Sequence, residues 1–333
     1  MKSKRINYKE LQISKEILPM LKVRIKKLKD KFSGNKINYN EKVLIVDTCI
    51  IGDFLSTLPA LTLFMERNKL KADIIVSPTI KTLAESIHFI DKVFTAKSSY
   101  NRETEKKEAE EQVIPKEYGL LIVLRIGPEA YKLIRNIKFS KIINCDWAYF
   151  RYIMHLAKNI LLRRPIKQAK EVIFEIVSLK KSIKEIKFND IFKFSKHDYE
   201  KIKRLPEMKG NEKKIIIHLG SGWKEKQWEN KRWIRLIKKI NSIGKFKFIF
   251  IGGDKEEKNS FNYIQKKLDF KIFSLIKELD LKELFLVMRL SDYFIGIDSG
   301  PRNMAHYSDL RSITLLGPGL KNFMPLSKKD III

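Results

Sequence analysis

Cysteine is almost missing from these 333 residues: Cys49 and Cys145 are the only two, each inside an apolar stretch. Two such thiols read as core residues of a reducing compartment rather than as a disulfide framework. No run approaches the ~18 consecutive apolar residues that a membrane-spanning helix needs. The N-terminus, MKSKRINYKELQ, lacks the continuous apolar stretch of a secretory signal, so a cytoplasmic location is expected. Arginine is scarce for so basic a chain, with 15 of the 68 basic residues. Arginine is the side chain suited to bidentate phosphate and base-edge contacts, so its scarcity argues against a dedicated reader of DNA. No nucleic-acid partner is expected. A Gly-Lys-Ser/Thr motif is absent too, which excludes a Walker loop.

Positive charge and long apolar segments are abundant. The formal net charge is +29, and hydrophobic residues make up 44% of the chain, enough for a sizeable core. At this length two domains are expected. The first 41 residues carry twelve Lys or Arg, with Leu18, Leu21, Ile25 and Leu28 spaced as one helical face. Such a segment either lies on an anionic membrane surface or packs one stripe on the body as a solvated extension. Residues 151–170 hold six basic residues and no acid among apolar ones, a second candidate for an acidic, partly apolar partner.

From Lys42 onward strands alternate with helices. KVLIVD (42–47) reads as a buried parallel strand, and ADIIVS (72–77), DKVFTA (91–96), YGLLIVLRI (118–126) and KIINCDW (141–147) as further strands of a first unit. Residues 97–112 are dense in charge and read as a surface excursion. The polar stretch PEMKGNEKK places a boundary near residue 207, giving an N-terminal domain over 42–207 and a C-terminal domain over 208–333. Beyond it follow strand KIIIHL, a helix with Trp233, Leu236, Ile237 and Ile240 on one face, strand FKFIFIGG, helix 254–268, strand KIFSL, helix 280–290, strand YFIGID, a short helix and strand RSITLLG. This alternation predicts an α/β protein with two doubly wound, Rossmann-like parallel sheets.

Ligands of such sheets bind outside the carboxyl ends of the strands, so the polar residues that follow strands carry the chemistry. Four turns qualify. In TCIIGDFLSTLPAL (48–61), Asp53 is either a helix cap or a base that accepts a proton from a substrate hydroxyl. In HLGSGWKEKQW (218–228), Gly220, Ser221 and Gly222 expose backbone N–H groups suited to phosphate, and Lys226 adds a point charge. In IGGDKEE (251–257), Glu256 or Glu257 either bonds a ribose or favours the first helical turn. In GIDSGPRNMAH (296–306), Asp298, Ser299 and Gly300 either project into a cleft or merely form a turn, with Pro301 placed to open a helix.

Taken in order, these turns resemble the family 9 glycosyltransferases, which include the lipopolysaccharide heptosyltransferases. Gly52, Asp53, Leu55, Pro59, Ala60 and Leu61 match the family's first turn and helix. His218, Gly220, Trp223, Lys226 and Trp228 match its His-x-Gly-x-x-Trp and Lys-x-Trp pattern, and Gly252, Gly253 and Asp298 to Pro301 match the turns that follow. The resemblance covers roughly residues 42–318 and implies the two-domain GT-B fold, with acceptor on the first domain and nucleotide-sugar on the second. It implies an inverting transfer of heptose from an ADP-heptose-type donor to a lipopolysaccharide core acceptor. Asp53 would be the general base. Gly220, Ser221, Lys226, Asp298, Ser299 and Gly300 would hold the donor and its diphosphate. Glu256, or its neighbour Glu257, and Leu279 would contact the nucleoside. No metal and no cofactor are implied, and the work would take place at the cytoplasmic face of the inner membrane. The chain departs from the pattern at Asn303, where the family often has His, and at Leu219, where Pro is usual; it also runs only about fifteen residues past Gly317 and Pro318. Two other readings fit the residues: the same fold with another nucleotide-sugar, and a non-catalytic basic protein that binds membranes or polyanions.

Overall fold

The computed structural model describes residues 42–98, 113–144, 191–220, 222, 224–318 and 326–333. The basic segments 1–41 and 151–170, as well as Cys145, Ser221 and Trp223, lie outside the described residues.

Two parallel sheets organise the chain. The first contains β1 (Val43–Asp47), β2 (Ala72–Val76), β3 (Ile90–Thr95), β4 (Glu117–Arg125) and β5 (Lys138–Asn144), in the order β3-β2-β1-β4-β5. Every residue of β1 and β2 is buried, because helices cover the sheet and leave no wet face to reward alternation. The helices of this half are α1 (Ile51–Arg67), α2 (Lys81–Ala84) and α3 (Pro128–Ile134). Pro128 opens α3, where its missing N–H costs nothing.

The second sheet contains β6 (Lys213–His218), β7 (Phe246–Ile251), β8 (Phe273–Ser274), β9 (Tyr293–Ile297), β10 (Arg311–Leu315) and β11 (Asp330–Ile332), in the order β11-β10-β9-β6-β7-β8. Its helices are α5 (Asn230–Asn241), α6 (Lys255–Gln265), α7 (Leu281–Arg289) and α8 (Gly300–Tyr307). Trp233 and Ile237 of α5 are fully buried against the sheet, Leu236 and Ile240 partly so. All strand pairs in both sheets are parallel. In each sheet the strand order reverses once, between β1 and β4 and between β6 and β9. A crevice opens at such a reversal, because the two connections leave in opposite directions.

Helix α4 (Lys196–Lys203) ties the halves together. Just before it, Phe192 bridges to Ile87 of the first half, and its ring lies 4.8 Å from that of Phe285 on α7. Lys201 pairs with Glu283 at 2.6 Å, and Lys282 with Asp198 at 2.7 Å. One apolar cluster therefore runs from β1 and α1 through Ile191 and Phe192 into Phe285, Leu286 and Met304. The last described residues, absent from the sequence expectation, form edge strand β11. Its Asp330 accepts hydrogen bonds from Ser312 at 2.6 Å and Ser327 Oγ at 2.9 Å, and pairs with the fully buried Arg302 of α8 at 3.2 Å. Burial works against the Asp330 carboxylate, but His306, Ser312 and Arg302 outweigh it and hold the group well below the usual range.

Candidate active site

The helix α1 starts at Ile51, and Ile50 at the cap position makes no side-chain capping bond. Asp53 is the third helical residue, within the first turn. Its carboxylate is about one-third exposed and forms an ion pair with Arg125, the last residue of β4. The two ends are stitched by hydrogen bonds: Thr48 N–H donates to Arg125 O at 3.1 Å, and Gly127 N–H to the Thr48 side-chain Oγ1 at 2.9 Å. Asp47, at the end of β1, is fully buried and accepts from Thr57 Oγ1 at 3.2 Å. Burial pushes the Asp47 carboxyl up to about 6, with Arg125 pulling the other way. Burial also disfavours charge on Arg125, yet Asp53, Cys49 and Asp47 outweigh it and raise the guanidinium further. Cys49 is a buried free thiol, pushed up by its burial and by Asp47.

At the second reversal the predicted donor residues converge. Lys226, in a single 3₁₀ turn (Lys224–Lys226), pairs with Asp298 at 2.6 Å. Ser299 is the cap residue of α8, and its Oγ lies 3.1 Å from His218 Nδ1 and 3.0 Å from Ile297 O. The other nitrogen of His218 lies 3.0 Å from Glu257 Oε1, so β6, α6 and the start of α8 are joined by one chain of polar contacts, Ser299–His218–Glu257. Of the two candidate acids, Glu256 is exposed and Glu257 is buried. Desolvation opposes the Glu257 charge, but His218 and the N–H groups of Gly253 and Asp254 overcome it and lower its pKa. The same carboxylate explains two glycines: a Cβ at Gly220 would fall 2.0 Å from Glu257 Oε1, and one at Gly252 2.4 Å from Oε2. Leu279 is half-buried ahead of α7, packed on the apolar cluster.

The two reversals meet. A Cβ on Gly300 would lie 2.3 Å from Ile51 Cγ2 and 3.7 Å from the Gly52 nitrogen, so the first turns of α1 and α8 abut. Asn303 Nδ2 donates to Gly52 O at 3.4 Å across this contact. The residue before Asp53 thus touches the helix that follows Asp298 and Ser299. Arg125, His218 and Arg302 had no assigned role in the sequence reading. The Arg ending an otherwise apolar strand, YGLLIVLRI, was the available signal for the first.

The model of glycosyltransferase family 9 (heptosyltransferase) matches residues 140–333, more than half of the chain. The chain belongs to this family. No curated protein matches it in sequence. Among solved structures, a family 9 glycosyltransferase of Veillonella parvula superposes with a TM-score of 0.68 at 15% identity, over 90% of this chain and 87% of that one. Heptosyltransferase WaaC of E. coli, in a structure with ADP, gives 0.64 at 18% identity over 87% and 92%. The E. coli ADP-heptose lipopolysaccharide heptosyltransferase II gives 0.62 at 14% identity over 88% and 90%. At these identities the likeness is one of fold, and the fold is GT-B. Among the described residues no helix is long and apolar enough to cross a membrane.

Proposed function

We propose that this family 9 glycosyltransferase moves a heptose from an ADP-heptose-type donor to a lipopolysaccharide core acceptor, with inversion, at the cytoplasmic face of the inner membrane. The acceptor lies on residues 42–207 and the donor on 208–333. The observation that supports the reading is the meeting of the two helix starts, in which Ile51 and Gly52, just before Asp53, touch Gly300 and Asn303. Asp53 takes the proton of the acceptor hydroxyl as its oxygen attacks the anomeric carbon. Negative charge then grows on the departing diphosphate. Lys226, now paired with Asp298, and the N–H groups at the start of α8, below Ser299 and Gly300, supply positive potential without a metal or other cofactor. The family resemblance assigns Gly220 and Ser221 to the same phosphate-binding role. Glu256, or its buried neighbour Glu257, meets the ribose, Leu279 the base, and Asn303 the transferred sugar. The ADP held by WaaC supports an adenine nucleotide, and the net charge of +29 supports an anionic membrane surface as partner.

Calorimetry with ADP, UDP and GDP tests the donor. Binding of ADP well above the other two is expected; preference for another nucleotide changes the donor. Salt-dependent polyanion binding without nucleotide affinity replaces the enzyme by a basic scaffold. In a transfer assay, Asp53→Ala is expected to lose on the order of 10²–10⁴-fold in rate, and undiminished transfer removes the base.

A further inference from the structure

A general base at Asp53 poses a physical difficulty. The carboxylate stands in the first turn of α1, and Arg125 is in direct contact with it. In the arrangement seen here the guanidinium occupies the carboxylate that an acceptor hydroxyl would have to reach. Arg125 is mostly buried at the end of β4 and is encircled by Asp53, Asp47 and Cys49, all on the acceptor side of the crevice. A guanidinium can exchange one carboxylate for another anion in the same fork geometry with little loss.

Resting on the transferase reading, we propose that Arg125 holds Asp53 inactive until an anionic group of the acceptor, a carboxylate or a phosphate, takes over the guanidinium. Asp53 then accepts the hydroxyl proton. The hydroxyl oxygen's electron pair forms the new bond to the anomeric carbon, and the bond to the diphosphate oxygen breaks, its pair leaving with the nucleoside diphosphate. The device has two consequences. Acceptors with an anion near the reacting hydroxyl are selected. Water that enters before the acceptor finds no competent base, so the activated donor is spared from hydrolysis.

The test compares full-length wild type, Arg125→Met, Arg125→Lys and Arg125→Met/Asp53→Asn, each first shown by calorimetry to bind ADP. Without acceptor, Arg125→Met is expected to release ADP from ADP-heptose roughly three- to tenfold faster than wild type. Arg125→Lys, which keeps the charge but not the fork, should fall between wild type and Arg125→Met, and the double variant should lose the gain. An unchanged rate in Arg125→Met, or a gain that survives Asp53→Asn, overturns the inference; failure of the wild type to bind ADP overturns the donor reading instead. A second measurement needs no donor. In arginine-15N-labelled protein, the Arg125 side-chain signal, identified by its loss in Arg125→Lys, should shift in Asp53→Asn and on titration with either glucuronate or inorganic phosphate. Movement with only one probe tells a carboxylate acceptor from a phosphate one, and movement with neither overturns the exchange.

Discussion

Asp47 keeps no contact with solvent at the end of β1, and its folded-state value of about 6 stands above the ordinary 3.8 because burial penalises the charge. The folded protein therefore holds this proton more tightly than the unfolded chain does. The associated stability is complete below about pH 4 and is lost as pH rises through about 6. Two units correspond to at most about 3 kcal/mol. Asp330 is shifted the opposite way and loses its contribution only at far lower pH, outside this window. Asp47→Asn keeps the shape and removes the titration. Its stability relative to wild type, from urea unfolding, should rise by roughly 1–3 kcal/mol between pH 4 and 6 and then level off; a flat difference would contradict the buried carboxyl. His218 is a second test at this scale. Replacing it by Ala strands Glu257 and Ser299 without their shared partner, so a loss of about 1–3 kcal/mol in stability and weaker ADP binding are expected from thermal melts and calorimetry. Asp53 was legible in the sequence because it follows a strand and a glycine. Its partner Arg125 was not, because the two are joined only through the pairing of β1 with β4, which no local pattern encodes.

The helix α6 shows how an element sets a site residue. Asp254 accepts from Glu257 N–H at 2.8 Å, while Glu257 Oε2 accepts from Asp254 N–H at 3.1 Å and Gly253 N–H at 2.7 Å. This capping box fixes the rotamer that delivers the other oxygen to His218. Asp254→Ala should cost about 1 kcal/mol of stability and also weaken ADP binding, since the first turn of α6 that presents Glu257 loosens even though the backbone donors to its carboxylate remain. The equivalent box at α4, Ser195 with Asp198, lies away from the site. Ser195→Ala should therefore cost a similar amount, about 1 kcal/mol, with nucleotide affinity intact; equal affinity losses in both variants would reject the coupling. The Asp-x-x-Glu spacing was visible in the sequence, yet Glu256 and Glu257 are neighbours, and only the helical phase decides which one turns inward. The strands were readable because continuous apolar runs have few alternatives. β11 was not: three residues after a polar stretch become a strand only through pairing with β10.

Across the whole molecule, the proposed chemistry divides between lobes while the packing does not. Every residue assigned to the donor lies in the half built on β6–β11, and Asp53 reaches it only because α1 and α8 are held together. Part of that hold is distant from the site, in the aromatic contact of Phe192 and Phe194 with Phe285, at 4.8 and 6.2 Å. Phe285 is fully buried, so Phe285→Ala should cost about 3–5 kcal/mol. The damage should also be uneven. ADP binding draws on one lobe and should persist in the folded variant below its lowered melting point. Transfer needs the acceptor base within reach of the donor, where a shift of about 1 Å costs on the order of 10²-fold. Calorimetry and transfer assays on the same sample decide the matter. A transfer rate that falls far more than ADP affinity supports alignment of the lobes by the distant aromatic contact, whereas parallel losses would mean that Phe285 stabilises its own lobe and nothing more.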